Sequence, residues 1–204
     1  MIRVHHLNNS RSQRVLWLLE ETGTPYEVVR YERDKKTMLA PKALRRVHPL
    51  GKSPIVEDDG KTFAETGLIV DYLVERFATD LAPARDSELY WRYKYWLHYA
   101  EGSLMPPLLL KLVVDRLGLL AYPARPFVKS QLKLHLDFLE SELSDAPWFL
   151  GERFSAAGDG QRLLEPRETT PTPVISNRPA TLAPALVCEM SNVATPPPMG
   201  AKPT

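Results

Sequence analysis

HPLGKSPIVEDDGKTFAET, residues 48–66, decides how the rest of the chain is read. Two short runs of β-formers, 55–57 and 61–63, flank Asp59-Gly60. An Asp-Gly pair between such runs marks a tight hairpin, because both central residues take positive φ. Pro54 has no N–H for a ladder, so it belongs at the entrance of the first strand and is a candidate for a cis bond. The Ser53 backbone beside it is expected to face outward. Its N–H and C=O would be free to pair with an extended, chain-like ligand, as an added strand would.

Upstream of this hairpin, residues 2–7 read as a strand, 11–22 as a helix with Val15, Leu18 and Leu19 on its buried face, 26–31 as a strand and 41–47 as a short helix. Gly23 and Pro25 end the first helix in the usual way. Downstream, a helix opens at Thr66 with Ile69, Tyr72, Leu73 and Phe77 at helical spacing. The order is βαβαββα in about 80 residues, a compact α/β layer structure. Residues 81–87 carry the proline and polar composition of a linker. Beyond them strand alternation stops. Residues 88–116 read as one long aromatic-rich helix bent near Pro106-Pro107, and 124–143 as another with Phe127, Leu134, Phe138 and Leu139 facing inward.

Composition removes several function classes. The 26 basic and 25 acidic residues leave a net charge of +1, which gives no global field for nucleic acid. Cys188 is the single cysteine, so an intrachain disulfide, a CxxC redox pair and a cysteine zinc site are excluded, and a reducing cytoplasm is expected. No His or acidic companions stand at metal-ligand spacing, and no apolar run reaches the length of a membrane span.

Two clusters could carry chemistry. The turn LNNSRSQRVLW places Asn9 and Ser10 at the positive end of a helix, where an anion is favoured. Without a Gly-rich loop to cradle phosphate, that anion is a carboxylate or a thiolate. A hydroxyl donor plus the helix end lowers a thiol pKa by stabilising the thiolate. The bland alternative is that Asn9 or Ser10 is an N-cap. The second cluster is Lys52, Ser53 and Pro54 with Glu65 and Thr66. Lys52 suits a ligand carboxylate, Glu65 an amine, and Thr66 with the helix amides a second carboxylate, so together they specify a zwitterionic peptide. Taken singly, Lys52 reads equally well as a solvated loop residue, and Glu65 with Thr66 as helix capping.

The βαβαββα order, the SxxxR turn (Ser10 to Arg14), HPLGKSP and ETGLIVDYL resemble the bacterial cytosolic glutathione S-transferases over roughly residues 1–155. The resemblance implies α/β plus all-α architecture: a thioredoxin-like glutathione-binding domain at 1–80 and an incomplete all-helical domain at 87–157. It implies glutathione as co-substrate, no metal, and a cytoplasmic homodimer in detoxification that needs neither nucleic acid nor membrane. Ser53 would present its backbone to the cysteinyl part of glutathione beside cis-Pro54. Its hydroxymethyl side chain, in place of the usual valine, should matter little. Lys52 would meet the glycyl carboxylate, and Glu65 with Thr66 the γ-glutamyl end. Ser10 would activate the thiol. Asn9 in that role would imply a glutathione-dependent disulfide or peroxide reductase, and a protein with neither activity would be a glutathione- or hydrophobe-binding one. The small apolar electrophile would lie against Tyr99, Ser103, Met105 and Pro106, and Glu101 would reach glutathione on a partner subunit.

The resemblance stops abruptly. Every Trp, Tyr and Phe lies at or before Phe154, whereas nine of nineteen prolines lie at or after Pro166. Ser155 is followed by Ala156, Ala157 and Gly158, with Asp159 one place late for a capping box. Residues 158–204 therefore read as a disordered Pro-rich tail, the vocabulary of an out-of-frame GC-rich segment.

Overall fold

The structure is a computed structural model that describes residues 1–158. The expectation for the tail beyond Gly158 lies outside the described residues, whereas Ser155 is buried and Ala156–Gly158 form a 3₁₀ turn. The chain runs β1 (Ile2–Leu7), α1 (Ser12–Glu21), β2 (Tyr26–Tyr31), α2 (Leu44–Val47), β3 (Ile55–Asp58), β4 (Lys61–Ala64) and α3 (Thr66–Phe77). The βαβαββα reading thus holds in order and, within one residue, in bounds, except that α2 begins at Leu44, three residues after its expected start at Pro41.

The four strands form one mixed sheet ordered β2-β1-β3-β4, with β1–β2 parallel and both β1–β3 and β3–β4 antiparallel. A parallel pair needs a crossover, which α1 supplies. The β3–β4 hairpin turns at Asp59 and Gly60, both at positive φ (48° and 73°), as that pair requires. Because side chains alternate along a strand, Ile2, Val4 and Val56 face α1 and α3, where they meet Val15, Leu18, Leu19, Ile69, Val70, Leu73 and Val74. The opposite face is closed by α2, whose Leu44 packs on Leu7 and Ile55.

The helical half contains α4 (Leu89–Tyr99), α5 (Met105–Leu117) and α6 (Arg125–Glu142). What reads in sequence as one helix over 88–116 is α4 and α5 joined by a π-helical segment, Ala100–Leu104. The cause is local: Pro106 and Pro107 have no N–H, so two α-type bonds are lost, and the Met105 N–H reaches back to the Ala100 carbonyl instead. A 3₁₀ stretch, Gly118–Ala124, links α5 to α6.

Three inward assignments are corrected. Phe127 and Leu134 are exposed, because α6 buries Val128 and Leu139 and half-buries Phe138, a stripe offset from the expected one. Phe77 sits at the solvent end of α3 with the Arg76 guanidinium 5.5 Å from its ring centroid. On α4 the buried rings are Tyr93, Trp96 and Tyr99, and Trp91 and Tyr95 point to solvent. Trp96 stacks on Phe149 (centroids 4.1 Å apart) and Phe138 (5.7 Å), which brings the segment after α6 onto α4. One continuous apolar core runs from Ile2 and Val4 through α1 and α3 to Trp96, Leu139 and Phe149. No described helix is long and apolar enough to cross a membrane.

Candidate functional site

The site forms where the C-terminal end of β1, the start of α1 and the loop before β3 converge. In that loop Gly51 has φ 58°, and a Cβ there would lie 2.6 Å from the Arg45 side chain, so both backbone and space require glycine. The turn it makes, with its N–H on the His48 carbonyl, delivers Lys52 and Ser53 to the end of the sheet. The Ser53–Pro54 peptide is cis and Pro54 is buried. Among the described residues, the Ser53 N–H and C=O have no backbone partner outside the sheet ladder. Lys52 is exposed and has no carboxylate partner among the described residues.

Ser53 does more with its side chain than the sequence indicates. Its Oγ donates to the His5 carbonyl (2.8 Å) and accepts from the Leu7 N–H and from Ser10 Oγ, both at 3.3 Å. The hydroxyl pins the proline loop to the end of β1 and to the turn that holds Ser10. Helix α1 takes Arg11 rather than Asn9 or Ser10 as its N-cap, with no side-chain cap bond from that residue. Ser10 Oγ nevertheless accepts the Ser12 N–H at 3.3 Å, so the hydroxyl does stand at the helix start. Asn9 is exposed at φ 50°, a conformation asparagine tolerates. Its turn is braced by Arg33, whose guanidinium donates to the Asn8, Asn9 and Met38 carbonyls at 3.0, 3.2 and 3.0 Å. Nothing in the sequence pattern flags Arg33, because the brace spans from one loop to another.

Glu65 and Thr66 open α3 with different exposures. Thr66 is buried, lining a narrow cavity of about 10 Å³ with Arg14, Gly67 and Glu101. Glu65 is exposed, and its backbone stands at φ 73°, ψ 120°, a region in which a side chain is strained. That conformation is held by β4 on one side and the first turn of α3 on the other. Such strain accompanies residues that must aim a side chain where regular structure would not.

The structure divides the residues expected to line an electrophile pocket. Met105 stands beside α1, its Sδ 3.4 Å from an Arg14 guanidinium nitrogen, with Ser103 half-buried and Pro106 exposed on the same stretch. Tyr99 is turned into the helical core instead. Its hydroxyl bonds to His135 Nδ1 (2.7 Å), its ring packs on Trp96 and Phe138, and burial pushes its pKa up to about 12. Glu101 is engaged within its own chain, where its carboxylate accepts from both Arg11 and Arg14. Arg14 correspondingly is a buried clamp and not a surface residue. Among the described residues no group of three or more His, Cys, Asp or Glu is placed to hold a metal.

Residues 1–75 match the glutathione S-transferase N-terminal domain family. Glutathione S-transferase 3 of Schizosaccharomyces pombe is 38% identical over 172 residues, covering 77% of this chain and 70% of that protein. The chain belongs to the glutathione S-transferase family. Glutathione S-transferase 1 of Saccharomyces cerevisiae is 34% identical over 165 residues, covering 71% of this chain and 70% of its own length. A glutathione S-transferase structure from Actinobacillus pleuropneumoniae is 34% identical, with a TM-score of 0.69 over 78% of this chain and 74% of that one. The relatives include fungal and plant proteins, whereas the sequence resemblance is to bacterial members, so the match is to the glutathione S-transferase family as a whole. A sphingomonad glutathione S-transferase solved with glutathione, at 23% identity and TM-score 0.64, shares the fold.

Proposed function

We propose that this glutathione S-transferase binds glutathione along the Ser53 edge, stabilises its thiolate with the Ser10 hydroxyl, and directs it onto an electrophilic carbon of a small apolar compound. The observation that carries this reading is the 3.3 Å contact between Ser10 Oγ and Ser53 Oγ. A peptide paired with the Ser53 backbone has its central side chain within reach of the residue next to Ser53, and that residue is a hydroxyl at a helix start. The exposed Lys52 cation takes the glycyl carboxylate, and Glu65 with Thr66 takes the γ-glutamyl end. Ser103, Met105 and Pro106 line the electrophile side, and Tyr99 backs it from the helical core. In this reading the glutathione-binding unit is 1–80 and the helical unit 87–157, working as a cytoplasmic homodimer in detoxification.

The chemistry is electrostatic and positional. A hydroxyl donor stabilises the anion more than the thiol, and holding the sulfur near the electrophile removes the entropy of encounter. The test uses the full chain. Calorimetry with glutathione and conjugation to an aryl halide are compared in wild type, Ser10→Ala and Asn9→Ala. Retained binding with conjugation reduced about 10²-fold in Ser10→Ala alone is expected. Undiminished conjugation in Ser10→Ala overturns the role of Ser10, and loss in Asn9→Ala instead transfers it to Asn9.

A further inference from the structure

Behind Ser10 lies a chain of hydrogen bonds that the site described above does not use. Ser10 Oγ is 2.7 Å from Ser12 Oγ, and Ser12 Oγ is 2.8 Å from His6 Nδ1. Ser12 is fully buried and His6 half-buried. Ser10 Oγ rests as a donor to Ser53 Oγ, so its single proton turns to Ser12 when the thiol arrives, after which the direction of the chain is set by its end, the imidazole. We propose that His6 is the relay through which the glutathione thiol proton leaves, by way of Ser10 and Ser12. This rests on the reading of Ser10 as the hydroxyl facing the sulfur.

The proton balance is complete. With His6 neutral and protonated at Nε2, its Nδ1 accepts from Ser12, Ser12 accepts from Ser10, and Ser10 Oγ accepts the thiol S–H. As the S–H bond breaks, its proton forms a new O–H on Ser10. The original Ser10 proton passes to Ser12 Oγ and that of Ser12 to His6 Nδ1. The transient imidazolium then loses its Nε2 proton to water. The products are a thiolate, a solvated proton and a neutral His6 of the other tautomer. Every hydroxyl has reversed direction, so the Ser10 O–H now points outward as a donor to the thiolate. The transfer thus creates the interaction that stabilises its own product.

The surroundings of His6 suit a station that passes a proton on. Its side chain shares the helix face of β1 with Val4, whereas Arg3 and His5, with Glu57, alternate to the other face. Helix α1 contributes the Ser12 hydroxyl, α3 buries only Thr66 and apolar residues, and β2 contributes the Arg30 cation at the paired register. Burial, and then repulsion from Arg30, hold the imidazole below its ordinary pKa, so it rests neutral with an acceptor available. His6 touches neither sulfur nor electrophile and acts through two hydroxyls, which makes it a positioning residue.

Stopped-flow measurement of thiolate absorbance and proton release, on mixing full-chain protein with glutathione, tests this. His6→Gln keeps a hydrogen-bonding partner for Ser12 but cannot relay, and Ser12→Ala breaks the chain at its middle. Both are expected to bind glutathione within about twofold of wild type and reach a similar final thiolate level, but about 10²-fold more slowly. Added imidazole should speed His6→Gln and leave wild type unchanged. Wild-type ionisation rates in both variants, with Ser10→Ala losing the final thiolate, overturn the relay while sparing Ser10. A full thiolate level in Ser10→Ala overturns both.

Discussion

Arg14 of α1 and Glu101 of the π segment form an ion pair between the sheet-bearing half of the chain and its helical half, and Arg11 closes on the same carboxylate. The π register is what turns Glu101 toward α1, so Pro106-Pro107, which imposes that register, contributes indirectly to the joint. The Arg14 side chain is 5% exposed and that of Glu101 22%.

Glu101→Ala is expected to lower stability by about 2–4 kcal/mol, because it removes the carboxylate to which both Arg11 and buried Arg14 donate. Urea denaturation reads this directly. A midpoint equal to wild type would show that the pair contributes nothing net.

Glu65→Gly separates strain from binding. Glycine adopts φ 73° without penalty, so the variant should be more stable by roughly 1 kcal/mol. Glutathione affinity should fall about tenfold or more with loss of the carboxylate. Thermal unfolding and calorimetry on the same preparations check both halves, and an affinity equal to wild type would remove Glu65 from the site.

Ser53→Val restores the residue usual in the family and is expected to cost about 1–2 kcal/mol here. The Leu7 N–H loses its side-chain acceptor, and the His5 carbonyl loses its donor. A denaturation midpoint at or above that of wild type would refute the pinning role assigned to this hydroxyl.

Acid should destabilise the fold in two windows. The folded-state pKa of His6 is below the ordinary 6.5, so its contribution is intact above that value and is lost as pH falls toward the depressed folded value, because the unfolded chain takes the proton first. Hydrogen bonding from His5, and then the nearby Arg3, depress the pKa of Glu57 from 4.5. Its contribution is present above that value and lost as pH falls through the folded one. The urea midpoint should therefore drop as pH falls below the ordinary 6.5 in wild type and much less in His6→Gln. Equal slopes in the two proteins would exclude His6 as the cause.

Much of the fold is legible because its signals are local. Asp59-Gly60 specifies its hairpin by backbone conformation alone, and Val15, Leu18 and Leu19 declare the buried face of α1 through spacing. The errors arise where a neighbour decides. Phe127 and Leu134 each carry the right residue type for a role the packing of α6 assigns elsewhere. The Arg33 brace, the Ser53 pin and the Glu101 clamp join residues 24 to 87 positions apart, and no periodicity encodes such pairs.

Composition and local pattern by themselves determined the βαβαββα order and the residues gathered at the proline loop. Backbone propensity, turn geometry and charge act over a few residues, and they are written in the chain. Only tertiary structure decided that His6, Ser10, Ser12 and Ser53 form one hydrogen-bonded line and that Glu101 faces Arg14. Those relations depend on distances set by sheet register and helix packing, to which the whole core contributes.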